Sequence, residues 1–198
     1  MTNDNRPALD PQTLDEEDLL NYLAMLETIV HQTPQPGSRL GWAYNNSANF
    51  LLQHGVWYAP RPLPDKIARG TPKACFGNAL VAAVRYGLHY VEGYANKIIP
   101  VEHAWCANDD GRLYEVTWPE IGVAYLGVAF SAERAAAATW NGHANVLWDM
   151  IQGNPLLQHP WTGEDFKKKW PLSPRIEQIR RVTRFANRAR KPLLRRDR

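Results

Sequence analysis

Three side chains in one order could do covalent chemistry in this chain. KACFGNAL sets Cys75 at the head of an apolar run, VEHAWC carries His103 on an alternating stretch, and RLYEVTW carries Glu115 on the next one. A thiol attacks carbonyl carbon only as thiolate, and a helix N-terminus favours that anion with the positive end of its dipole. A neighbouring imidazole completes the ion pair, and a carboxylate on its second ring nitrogen fixes the tautomer. In that chemistry Cys75 is the nucleophile, His103 the general base and Glu115 the orienting carboxylate.

The elements around these residues must bring them together. CFGNALVAAVRY reads as a helix, with small residues for close packing and Gly87 placed to end it. The period then changes to that of strands in LHYVEGYA, VEHAWCAN, RLYEVTW and VAYLGVAF, with DDG as a hairpin turn. Strand alternation puts His103 and Trp105 on one face and Ala104 and Cys106 on the other. Pairing VEHAWCAN with RLYEVTW around a turn centred near Asp109 and Asp110 sets Glu115 roughly opposite residue 104, one diagonal from His103. Helix followed by antiparallel strands is α+β order.

Upstream, TLDEEDLLNYLAMLETIVHQ has helical spacing, with Thr13 and Glu16 as a capping box. NSANFLLQHG reads as a short helix capped by Ser47 and closed by Gly55, and YAPRPLPDK as an extended connection. Downstream, SAERAAAATW, with Ser131 as N-cap, ANVLWDMI and TGEDFKKKW read as helices, as does the basic end of the chain. The expected organisation is a loose 1–12, one domain over 13–166 and a basic helical tail over 167–198.

The order of Cys on a helix, RYGLHYVEGYA, HAW and EVTW resembles the transglutaminase-like branch of the papain-like cysteine enzymes over about residues 73–130. It is also similar to a group of small phage and bacterial proteins with YVEGYA, PVEHAW, DPTW and YLGV. The resemblance implies a papain-like core with the Cys helix packed on an antiparallel sheet. It further implies cysteine-dependent acyl transfer, as hydrolase, thiol protease or acyltransferase, on a protein or peptide substrate without a cofactor. Carried across, Cys75, His103 and Glu115 form the triad; the family places Asp before PTW, where this chain has Glu115 and Val116, which keeps the charge but changes its reach.

Other readings compete with this one. An isolated cysteine is most often a core residue, and a structural zinc site needs compact ligand pairs such as C-x₂-C, which Cys75 and Cys106 do not form. A Cys75–Cys106 bridge would instead make the thiol a redox switch. Gly93 inside a strand marks a bulge or a close backbone approach, and Glu92 and Glu102 are expected to be exposed. Asn45, Asn46, Gln53 and Trp57 are the upstream candidates for a second oxyanion donor. The five other histidines, at 31, 54, 89, 143 and 159, are expected on the surface or satisfied in the core.

Charge suggests a second function class. Residues 1–166 hold 10 basic and 18 acidic side chains, whereas 167–198 hold 13 basic and 2 acidic. Lys167 to Arg198 could therefore bind nucleic acid or an acidic protein by counterion release, and a non-enzymatic binding protein on the same scaffold is the alternative. With 44% apolar residues the chain should bury a core. It lacks a spanning run, a basic-then-apolar leader and a disulfide framework, which points to a cytoplasmic protein, in the host cytoplasm if phage-encoded.

Overall fold

The architecture is that of a computed structural model, which describes residues 11–32, 41–140, 143–144, 146–148 and 155–161. The chain divides into two compact units, Met1–Lys168 and Lys169–Arg198; the second lies outside the described residues, as do the helix expected over TGEDFKKKW and the basic tail helix.

The elements run α1 (Pro11–Gln32), α2 (Ser47–His54), β1 (Val56–Trp57), α3 (Cys75–Tyr86), β2 (His89–Asn96), β3 (Pro100–Ala107), β4 (Leu113–Tyr114), β5 (Ala124–Phe130), α4 (Ala132–Ala137), β6 (Thr139–Trp140), β7 (His143–Ala144) and α5 (Pro155–Gln158). The fold is α+β. Five strands form an antiparallel sheet in the order β1-β5-β2-β3-β4, and β6 and β7 form a separate ribbon.

The pleat divides the sheet into two chemically distinct faces. Tyr90, Tyr94, Ala104, Cys106, Leu126, Val128 and Phe130 share one, and bury it against Leu19 and Leu23 of α1, Phe50 and Leu51 of α2, and Ala79, Ala82 and Ala83 of α3. Each fully buried Leu or Phe there stabilises the fold by roughly 1.5–3 kcal/mol. The alanines of α3 let its backbone approach β3, so that the Cys106 thiol donates to the Ala79 carbonyl at 3.1 Å. On the opposite face Trp105 stands edge-on to Tyr58 and Tyr125, with ring centroids 5.5 and 5.2 Å away. Its floor is glycine: a Cβ on Gly127 would meet the Trp105 ring at 2.7 Å, and one on Gly93 would collide with the Leu126 carbonyl. The close approach expected at Gly93 is therefore present.

Local chemistry sets the element ends, and in places it overrides the sequence pattern. Helix α1 begins at Pro11, so Thr13 lies inside its first turn and is not the N-cap. The cap of α2 is Asn46, whose Oδ1 accepts from Asn49 N–H at 2.7 Å, with Ser47 as the first helical residue. Gly87, left-handed at φ 64°, closes α3 as expected, and Ser131 caps α4 by accepting from Arg134 N–H at 3.1 Å. That helix stops at Ala137, and Thr139–Trp140 turns into strand. The helix expected over ANVLWDMI does not form in its described residues: Ala144 pairs with Thr139, and 146–148 is a turn whose amides of Val146 and Leu147 are held by Glu92. Among the described residues, no helix is long and apolar enough to cross a membrane.

Candidate active site

The candidate nucleophile stands where α3 begins. Lys73 takes the left-handed conformation, φ 67°, which turns the chain from the 65–74 loop into the helix. The first helical bond runs from Asn78 N–H to the Ala74 carbonyl, and no side chain caps Ala74. Helix geometry thus leaves the amides of Cys75, Phe76 and Gly77 without intrahelical acceptors, pointing out of the helix start. One turn in, Asn78 bonds both backbone groups of Thr71 and the Thr117 hydroxyl, tying the helix start to the loop that carries Glu115. Cys75 is half-buried and free.

His103 comes from β3, on the glycine-floored face, and is almost fully buried at 1% exposure. Its Nε2–H donates to Glu115 Oε2 at 2.9 Å. Its other nitrogen, Nδ1, is not taken by that bond, and the Cys75 side chain lies close enough to raise the imidazole's pKa. The Trp118 ring lies parallel to the imidazole, with centroids 3.9 Å apart and planes 17° apart, a placement that favours the protonated ring. Three of the residues singled out by sequence thus come together around one imidazole.

Glu115 reaches His103 by a different route from the one the hairpin pattern suggests. The β3–β4 register pairs Cys106 with Tyr114 and Ala107 with Leu113, one residue away from the expected register. Continued, it sets Glu115 opposite Trp105, on the His103 face. RLYEVTW does not continue as a strand: β4 ends at Tyr114, because Glu115 Oε1 accepts from the amides of Thr117 at 2.8 Å and Trp118 at 3.0 Å and curls the chain into a turn. The Tyr125 hydroxyl donates to Oε2 at 2.9 Å and accepts from Gly122 N–H at 2.7 Å. Four donors therefore serve one buried carboxylate.

These contacts decide the charges. Burial works to lower the His103 pKa, but the hydrogen bonds and charges of Cys75 and Glu115 outweigh it and hold the imidazole at about 9. Burial works to raise Glu115, and the His103 bond and charge with the Trp118 and Thr117 amides overcome it, leaving the carboxyl below its ordinary range. Both partners are shifted toward the ion pair. Burial, together with the Glu115 charge, pushes Tyr125 upward, so it stays a donor.

Cys106 is separated from this chemistry. It is fully buried against α3 on the other face, and burial pushes its thiol well up. Both cysteines are free. Of the candidate oxyanion donors, Asn46 is occupied by its cap and by donating to the Leu26 carbonyl, Gln53 donates to Asn49, and Trp57 sits in β1, three strands from β3. Asn45 is exposed in the loop before α2. Among the described residues, no group of three or more His, Cys, Asp and Glu is arranged to hold a metal ion. His54 bonds Tyr44 at 2.7 Å, His89 bonds Asp109 at 2.8 Å, and His159 is exposed.

Sequence reasoning missed the part played by Tyr125 and by the two amides after Glu115. Nothing in a linear pattern marks a tyrosine ten residues away as a carboxylate donor. It also misplaced Glu92, which is completely buried, while Glu102 is exposed and accepts from the Tyr94 hydroxyl at 3.2 Å.

No family model, curated protein or solved structure matches this chain.

Proposed function

We propose that the chain is a cysteine-dependent acyl-transfer enzyme of papain-like, transglutaminase-like kind. The observation that carries this reading is the buried His103, bonded through Nε2 to Glu115 at 2.9 Å, with a half-exposed Cys75 at a helix start close enough to raise the imidazole's pKa. An imidazole between carboxylate and thiol supports the ion-paired nucleophile that acyl transfer needs.

In this mechanism the Cys75 thiolate adds to the carbonyl carbon of an amide or ester. The amides at the start of α3 face the oxyanion that forms. His103 Nδ1–H gives its proton to the departing amine or alcohol, the carbon–heteroatom bond breaks, and a thioester remains on Cys75. Neutral His103 then takes a proton from the attacking water or amine, which releases the acyl group and regenerates the thiol pair. Glu115 holds the ring orientation throughout, with Tyr125 and the Thr117 and Trp118 amides holding Glu115. Hydrolysis and transamidation share each step up to the thioester.

Incubation with p-nitrophenyl acetate followed by intact and peptide mass spectrometry tests the reading. An acetyl thioester on Cys75, absent from Cys75→Ala and strongly diminished in His103→Ala, is the expected result. Acetylation of Cys75 no faster than that of N-acetylcysteine would overturn it.

A further inference from the structure

Glu92 is a carboxylate that the mechanism above does not use. It stands in the middle of β2, fully buried, on the sheet face that α3 covers. Its Oε1 accepts from the Tyr90 hydroxyl and from Val146 N–H, both at 2.7 Å, and its Oε2 accepts from Leu147 N–H at 2.6 Å. Two of these bonds reach across more than fifty residues to the backbone of the 146–148 turn. A buried carboxylate supplied with charge-assisted donors of this kind holds them in place, because losing one leaves a polar group stranded.

What the turn carries is Trp148. Its indole stands edge-on to Phe76 with centroids 5.8 Å apart and to Tyr94 at 5.9 Å, and its Nε1–H donates to Ser47 Oγ at 3.1 Å. Phe76 follows the nucleophile directly, and Tyr90, which donates to Glu92, lies within electrostatic reach of the Cys75 sulfur. Phe76 and Trp148 are both half-buried, so aromatic surface stays open beside the helix start.

We propose that Glu92 is a positioning residue that clamps the 146–148 turn through the Val146 and Leu147 amides. It thereby fixes Trp148 and Phe76 as an aromatic wall selecting acyl groups with an aromatic or large apolar side chain. The inference rests on the acyl-transfer reading of Cys75. Glu92→Gln is the informative change: an amide keeps one carbonyl acceptor and turns its NH₂ toward a backbone N–H, so one turn amide loses its partner while the volume is unchanged.

The test compares acylation of Cys75 by p-nitrophenyl acetate and by p-nitrophenyl 3-phenylpropanoate. In each case the thiolate displaces p-nitrophenolate and forms a thioester, and rates are normalised to those of N-acetylcysteine. The wild-type protein is expected to favour the phenylpropanoyl ester by about tenfold, within the range a hydrophobic pocket gives. Glu92→Gln and Trp148→Ala each should bring that preference to about twofold or less, with the acetyl rate changed by less than about threefold. Tyr90→Phe, which leaves the turn bonds in place, should keep the preference. A folded Glu92→Gln protein with the preference intact would overturn the proposal, as would a wild-type protein without one. If Glu92→Gln fails to fold, an undiminished preference in Trp148→Ala overturns it equally. Failure of both esters to label wild-type Cys75 would instead remove the acyl-transfer reading, and this inference with it.

Discussion

Glu92 and Glu115 are two buried carboxylates solved in almost the same way. Each accepts from a tyrosine hydroxyl and from two consecutive backbone amides: Tyr90, Val146 and Leu147 for Glu92; Tyr125, Thr117 and Trp118 for Glu115. To Glu115 the fold adds the imidazole of His103, and through it the Cys75 thiol. The difference teaches that burial and satisfaction alone make an anchor. The proposed chemistry needs in addition a donor, the His103 imidazole, that exchanges its proton during the reaction. Glu92 ties distant chain segments together, whereas Glu115 uses a rigid local turn to set the charge of a neighbouring ring.

Changes at the two sites should therefore separate cleanly. The largest effect is expected at the thiol and imidazole: Cys75→Ala should abolish acylation, and His103→Ala should slow it by about 10²–10⁴-fold, in intact-mass time courses. Glu115→Gln should slow acetylation by about 10²-fold or more, since it removes the charge that holds the imidazolium. Glu92→Gln, in the same assay, should change it by less than about threefold. Equal losses in the two Gln variants would erase the distinction.

The two carboxylates should part again in their coupling to pH. The folded pKa of His103, about 9, lies above its ordinary 6.5, so its contribution to stability is full below pH 6.5 and is lost as pH rises through 9. Glu115 is lowered, so its contribution is present above its ordinary 4.5 and is lost as pH falls through its folded value. Denaturant titrations should show the His103-dependent stability declining from pH 6.5 to above 9, and His103→Ala should remove that decline. The acylation rate should fall over the same alkaline limb, as the imidazolium that partners the thiolate is lost.

The smallest effect is expected at the supporting hydroxyls. Tyr125→Phe should slow acetylation severalfold and cost about 1–2 kcal/mol in denaturant unfolding, because both Gly122 N–H and Glu115 lose a partner. Tyr90→Phe should cost a similar amount of stability with no change in rate. A rate loss in Tyr90→Phe as large as in Tyr125→Phe would mean that the two carboxylates are not functionally distinct.

How much of this was legible in the sequence follows from how local each determinant is. Helix α3, its glycine cap and strands β2, β3 and β5 are written in period and propensity, within a residue at each end. The order of Cys75, His103 and Glu115 was likewise visible, as a thiol, an imidazole and a carboxylate on three successive segments. What stayed hidden depends on contacts remote in sequence. The end of β4 is set by the Glu115 side chain turning back on the Thr117 and Trp118 amides, and an alternating pattern cannot show that turn. ANVLWDMI has helical composition, yet its Val146 and Leu147 amides are taken by a carboxylate 54 and 55 residues away. Glu92 itself looked like a surface charge, since nothing beside it announces donors that arrive from β7 onward.

The most direct test of the central claim is the pH dependence of iodoacetamide alkylation at Cys75, followed by peptide mass spectrometry with the buried Cys106 as internal control. The account predicts that Cys75 is alkylated much faster than N-acetylcysteine at neutral and mildly acidic pH, as an ion-paired thiol is. It also predicts that Cys106 stays unreactive, and that His103→Ala returns Cys75 to ordinary thiol behaviour. Alkylation of Cys75 that follows a free thiol in the wild-type protein, unchanged by His103→Ala, would contradict it.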